Sequence, residues 1–343
     1  MRSTVVLVAL GALAVVAVVV AISTGSVTIP VHALWSYLSS GDAGQPGWTV
    51  LLDQIRLPRV ATAALAGAGL AVAGLLMQTM FANPLADPYI LGVSSGASLG
   101  VAVVTLGTGT ATTTFVSAVG AGRLSVVAAA AVGSLAVLLL ILLLGRWVRS
   151  VVTLLILGVM LSSTIGAVVS LFLAFADPAR LQRFVLWGLG SYGGVTRTDL
   201  LVLSPVVVIG VVTALLLSRS LNALLLGERY AQTMGVNVSL VRVVAVTATA
   251  LIAGSVTAYC GPIAFLGIAV PHLARLGIGT SDHRVLLPAT VLMGITVSVL
   301  CSVVAQLPGT DAVLPLNVVT ALLGAPVVMV VLLRSRRLAA GAV

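Results

Sequence analysis

The stretch IRLPRVATAALAGAGLAVAGLLMQTMFANPLADPYILGVSSGASLG, residues 55–100, holds one long apolar run and a second that begins on a proline. A helix crossing about 30 Å of hydrocarbon needs roughly 20 apolar residues, and 60–82 supplies them. Asn83-Pro84 and Asp87-Pro88 then put two residues directly before proline, where helical backbone is disfavoured, so the chain turns. The following run, 88–107, carries Gly92, Ser94, Ser95, Gly96, Ala97 and Gly100 and almost no side-chain bulk. That permits either close backbone packing or a wide lumen. A broken helix at membrane depth is tolerated only where protein or a water-filled cavity satisfies the freed backbone, so this run marks a pathway.

The rest of the 343 residues repeats the pattern. Hydrophobic residues make up 60%, charged residues 7%, and mean hydropathy is +1.24, a balance foreign to soluble domains of this size. Apolar runs at 5–22, 124–145, 151–175, 200–217, 243–260, 262–277, 285–306 and 313–333 bring the total to about ten transmembrane helices in one domain spanning 1–343. Pro262 and Pro271 interrupt the eighth as Pro84 and Pro88 interrupt the third. Arg2 ahead of Val5–Ile22 resembles a signal peptide, but the run is as long as a span and lacks an A-x-A site, so a retained first helix is expected. Cys260 and Cys301 read as buried small hydrophobes.

All 17 basic residues are arginine. Without lysine a Walker A loop cannot be written, so that kind of ATPase site lies outside this chain. The basic balance lacks the clustered arginines and aromatics of a nucleic-acid binder. Topology explains it better. With the N-terminus cytoplasmic, eleven arginines fall on the inner side (among them Arg2, Arg146, Arg149, Arg219, Arg229, Arg242, Arg275 and Arg284) and six on the outer (Arg56, Arg59, Arg123, Arg180, Arg183, Arg197). The excess of basic residues in cytoplasmic loops favours this orientation, with both termini inside. Five spans on either side of the 219–242 loop would set the two halves in opposite orientations, as in inverted-repeat transporters, although no sequence match between them is evident.

The inner segment LLLGERYAQTMGVNVSLVRV, 224–243, contains Glu228, the only glutamate. Ala231, Met234 and Val238 recur at helical spacing while Glu228, Arg229, Gln232 and Thr233 take other faces. Gly235 can end this helix in the left-handed conformation, and Asn237 or Ser239 can cap the next span. Spacing leaves two readings, an interfacial linker or a helix docked in another protein's groove. Glu228 itself serves either the helix dipole or a salt bridge.

LGERYAQTMGVNV, the 55–100 block, GPIAFLGIAVPHLARLGIGTSDHRVLLP (261–288) and LPLNVVTALLGAPVVMVVLL (314–333) together resemble the FecCD/BtuC-like permeases of ABC importers, over nearly the whole chain. The resemblance implies a permease for ferric siderophore, with haem or cobalamin behind it, in the bacterial plasma membrane. It implies that Glu228, Arg229, Gln232, Met234, Gly235 and Val236 form the coupling helix on a separate ATPase subunit, which binds ATP-Mg; this chain holds no cofactor and no metal. Arg56 and Arg59 would dock an extracytoplasmic substrate-binding protein through its carboxylates, and Asn83, Pro84, Gly92, Ser94 and Gly96 would lie along the pathway. Val151 and Val152 fall at the cytoplasmic gate, where valines replace small hydroxyl residues. The family's second docking arginine is replaced here by Gln306. A second permease copy or a paralogue completes the pathway, with membrane lipid around it.

On the residues alone Arg56 is as readily a snorkelling helix-end anchor. His272 and His283, near Asp282 and Arg284, read as structural hydrogen-bonding groups more than as a metal site. The rival function is an ion-coupled secondary carrier, which would need ionisable groups within spans; Asp87 is the acid nearest a broken helix.

Overall fold

A computed structural model describes residues 2–107, 110–120, 122–145, 147–148, 151–307 and 313–340. The described residues are helical throughout their ordered elements: α1 (Arg2–Ser23), α2 (Val31–Ser40), α3 (Pro46–Val50), α4 (Leu57–Met80), α5 (Val93–Leu106), α6 (Thr110–Val119), α7 (Arg123–Gly145), α8 (Val151–Ala174), α9 (Pro178–Gly188), α10 (Arg197–Leu216), α11 (Ser218–Leu224), α12 (Glu228–Thr233), α13 (Val238–Cys260), α14 (Leu266–Ile278), α15 (His283–Ala305) and α16 (Leu316–Ala340). Among them seven are long and apolar enough to cross a membrane, and the shorter apolar helices Val93–Leu106, Leu266–Ile278 and Leu316–Val330 bring the tally to the expected ten. Arg146 and Arg149, counted in the topology, lie outside the described residues.

The two proline-interrupted runs are the two shortest of these. Pro88–Leu91 winds as a 3-10 turn before α5, and residues 261–265 are non-helical before α14. The second span departs from expectation in the other direction. Helix continues upstream from α4 through a π-helical stretch, Leu51–Arg56, to α3, giving 35 residues from Pro46 to Met80. Pro58 has no N–H for the preceding turn, and widening to π geometry lets the helix pass it.

α4 is the hub, most of its residues buried and packed by α10, α13, α14 and α15. Lipid offers no hydrophobic drive for helix association, so close backbone contact between small residues carries much of the packing. Gly67 meets the Gly294 carbonyl of α15, and Gly74 meets that of Gly267 of α14, so that a Cβ at either would overlap backbone.

The packing pairs α4, α5, α7 and α8 with α13, α14, α15 and α16 in opposite sense, the arrangement that inverted halves require of these elements, while α1 and α10 pack differently. α5 packs on α7 and α8 as α14 packs on α15 and α16, while α4 lies on α15 and α14 as α13 lies on α7 and α5. Each half-span follows a break. α4 ends beside His283, whereas α13 ends beside Ser191 at the other end of the molecule. The residues the charge count assigned to opposite membrane faces separate accordingly. Arg123 pairs with Asp199 at 2.6 Å and Arg197 with Asp53 at one end; Glu228 pairs with Arg242 at 2.6 Å at the other.

Candidate docking and translocation sites

At the Glu228 end, Gly227, with φ +102°, leads into α12, and Gly235, with φ +82°, turns the chain out of it. Asn237 Oδ1 then accepts the Leu240 N–H at 3.0 Å and caps α13, so of the two candidates Asn237 and Ser239 the first is the cap. Glu228 resolves in favour of the salt bridge to Arg242, across to α13. The faces of α12 differ from expectation: Ala231 and Val238 are buried, but Met234 is 54% exposed. The stripe that faces away from the protein is Leu226, Tyr230 and Met234 at intervals of four, with Arg229 and Gln232 also exposed and Val236 half-buried. Tyr230 lies within the six-residue helix and Leu226 and Met234 flank it, so the three form an exposed apolar patch around α12, on an element too short to span a membrane.

Behind this face a polar junction anchors the segment. Asn222 of α11 donates through Nδ2 to Asp282 Oδ1 at 2.5 Å and accepts the His283 N–H at 2.8 Å. His283 Nδ1 lies 2.9 Å from the same Asn222 oxygen, and its Nε2 lies 2.9 Å from Thr79 Oγ1. Asp282 also caps α15 by accepting the Arg284 N–H at 3.0 Å, and these bonds hold its carboxyl below the usual range. His272 Nε2 reaches the Pro84 carbonyl at 2.9 Å. Both histidines thus join separate elements through hydrogen bonds.

At the opposite end, Arg56 and Arg59 separate in role. Arg56 is buried and donates to the carbonyls of Ile22 (2.5 Å) and Val27, tying the end of α1 to the hub helix. Its guanidinium is tied to these carbonyls and also lines the recess onto which Arg59 opens. Arg59 is half-exposed and has no hydrogen-bond or ion-pair partner among the described residues. It opens onto a recess that Gln306, Gly25, Ser26 and Val313 share.

Between the ends, the turn after α4 backs α8. Asn83 Oδ1 accepts the Leu85 N–H at 2.9 Å and shapes the turn; the Ile90 and Leu91 backbone lies against Gly158, and Gly92, with φ +81°, against Ser162. Ser94 is half-buried, and Gly96 meets the Gly133 carbonyl of α7, so at Gly96 the small residue serves packing and not a lumen. α8 is mostly exposed, its exposed positions including Val152, Met160, Ser163 and Thr164. Ser163 and Thr164 return their hydroxyls to the carbonyls four residues back, leaving a smooth wall. The Val151 side chain lies outside the described residues.

Sequence reasoning missed Asn317. Its Nδ2 donates to Gly188 O (3.0 Å) and Pro262 O (2.7 Å), and its Oδ1 accepts the Ala264 N–H (3.0 Å). The Tyr89 hydroxyl lies 3.4 Å from the Ile263 nitrogen. The backbone freed by the break at 261–265 is therefore satisfied from α16 and from the turn before α5.

A family model described as the FecCD transport family matches residues 13–334. The chain belongs to the FecCD transport family. Its FecCD relatives include an uncharacterized ABC transporter permease protein, YvrB, of Bacillus subtilis, 38% identical over 94% of this chain and 91% of that one. The hemin transport system permease protein HmuU of Yersinia pestis is 35% identical over 97% of each. The vitamin B12 import system permease protein BtuC of Escherichia coli is 37% identical over 88% and 89%. A solved structure of an inward-facing transporter assigned to the metal-chelate ABC type superposes with a TM-score of 0.82 at 29% identity, covering 96% of this chain and 98% of that one. This FecCD chain is a multi-pass permease subunit of an ABC importer.

Proposed function

We propose that this permease carries a ferric siderophore delivered by an extracytoplasmic binding protein and is driven by a separate ATPase docked on α12. The Leu226, Tyr230 and Met234 stripe carries the reading of the inner end, because an apolar face at a membrane surface calls for a partner groove, and few basic residues flank it to hold it in lipid headgroups. Supporting the reading of the outer end, Arg59 has no ion-pair partner among the described residues and faces a recess, suited to a carboxylate on a receptor lobe. ATP-Mg binds in the ATPase subunit; this chain binds no cofactor. Both termini are cytoplasmic in this reading, in the bacterial plasma membrane.

A second copy or a paralogue faces α8 and closes the pathway, with Val152 and Val151 at the inner gate, where an apolar constriction closes by dewetting. ATP binding and hydrolysis move α12, and the gate ends of the spans follow, so transport is an equilibrium between access states biased by the partners' differential contacts. Ferric siderophore, haem and cobalamin are all metal chelates, the class named for the structural relative, and the order among them is part of this proposal. Uptake of radiolabelled ferric siderophores, haem and cobalamin in a strain lacking the gene tests the cargo: restoration of siderophore uptake by the chain supports the proposal, and restoration of haem or cobalamin uptake alone overturns it.

A further inference from the structure

Asn222 lies on α11, and its side chain bonds to Asp282 and His283, not to α12. α11 is anchored by Leu221, which is fully buried, and packs on α12, α15 and α4. The Asn222 carboxamide uses both ends. Its N–H goes to the Asp282 carboxylate and its oxygen takes two contacts from His283, the backbone N–H at 2.8 Å and Nδ1 at 2.9 Å. An amide oxygen is an acceptor only, so Nδ1 carries the proton and Nε2 faces the Thr79 hydroxyl of α4.

From Thr79 the contacts continue without a gap. Its neighbour Gln78 accepts from Arg275 Nη1 at 2.7 Å and donates to the Ile268 carbonyl at 3.3 Å, joining α4 to α14. His272 of α14 reaches Pro84 in the turn, and that turn's Ile90 to Gly92 backbone rests on Gly158 and Ser162 of α8. The links between elements are buried or half-buried polar bonds and, at Gly158, a backbone contact too tight for a Cβ, connected in between along the chain itself, so the elements shift together or the bonds break.

We propose that Asn222 is the positioning residue that transmits movement of the α11–α12 segment to α4 and α15, and through the turn at 83–92 to α8. The inference rests on the docking assigned to α12 above. It makes Asn222 dispensable for holding the ATPase and necessary for using it.

Spatial continuity is not coupling, so the test is a measured one. The reconstituted complex with its ATPase and binding protein is assayed for ATPase capture, ATP turnover, and uptake of whichever radiolabelled chelate the wild type carries. Asn222→Asp sets a carboxylate against Asp282. It is expected to keep ATPase capture while uptake per ATP hydrolysed falls about tenfold, a usual size for coupling between sites. N222D/D282N exchanges amide and carboxylate, restores the hydrogen-bond complement, and is expected to recover most of the wild-type ratio. Asn222→Ala, which adds no charge, should uncouple in the same way and serves if the aspartate variant fails to accumulate in the membrane.

Full uptake per ATP in both single variants overturns the proposal. So does a double variant of wild-type thermal stability that stays uncoupled, or loss of ATPase capture in Asn222→Ala, which would make Asn222 part of the docking surface. Failure of the underlying docking assignment is read separately, as unchanged ATPase capture by Tyr230→Asp.

Discussion

Replacing Met234 by aspartate tests the docking stripe at its most exposed end. Burying a whole methionine side chain is worth roughly 1.5–3 kcal/mol, and with 54% of Met234 still exposed in the chain, about 1 kcal/mol remains for a partner to gain. A carboxylate left unpaired in a closed interface costs on the order of 2 kcal/mol or more. The sum, about 3 kcal/mol, lowers affinity by about two decades at 1.4 kcal/mol per decade. The side chain belongs to none of the buried clusters, so the fold should be unaffected. Detergent-solubilised Met234→Asp is titrated against immobilised ATPase, with binding-protein affinity measured alongside as the control at the other end. Wild-type affinity for the ATPase, or parallel loss of both partners, would refute the assignment.

Other outcomes follow from the same geometry. Arg59→Glu should weaken binding-protein docking most at low salt, where exposed pairs are least screened, whereas Arg56→Ala should mainly lower thermal stability, by about 1–3 kcal/mol for the stranded carbonyls of Ile22 and Val27; a docking defect confined to Arg56 would contradict this. Gly74→Leu should abolish membrane accumulation because its side chain would enter the Gly267 backbone, while Gly166→Leu, which meets nothing nearby, should accumulate normally; quantitative blotting compares them. Burial pushes the Asp87 carboxyl up to about 6, against the pull of the Tyr89 N–H. Its folded pKa lies above the unfolded value of about 3.9, so stability is greatest at low pH and declines as pH rises through about 6. Asp87→Asn keeps the cap acceptor and should raise Tm at alkaline pH but hardly below the unfolded pKa; an equal shift at both would count against it.

Much of this architecture is written locally. Prolines 84, 88 and 262 announced both broken spans, and Gly235 with Asn237 gave the end of the short helix and the start of the next. The local signals stop where a residue's role depends on a distant segment. Met234 falls on the buried stripe by spacing, yet a helix of six residues ending in a glycine turn does not keep full periodicity, and Met234 sits at its cap with backbone out of register. Arg56 reads as exposed because basic residues end spans, but Ile22 and Val27 are some thirty residues earlier in the chain and nothing local indicates that their carbonyls need a donor.

The asparagines offer the signal that could have been used. The chain has four, Asn83, Asn222, Asn237 and Asn317. In so apolar a sequence an amide needs a reason to be retained, and each of the four closes a turn, a cap or a junction between elements. The inverted halves stayed hidden because the correspondence lies in which helix packs on which, while the side chains filling those contacts differ.

The central claim, that partners at the two ends drive this permease, is tested by uptake into proteoliposomes. The chain is reconstituted with and without the ATPase and binding protein, under ATP or under imposed proton and sodium gradients. The account predicts chelate accumulation only with both partners and ATP. Accumulation by the chain alone, driven by an ion gradient, would contradict it.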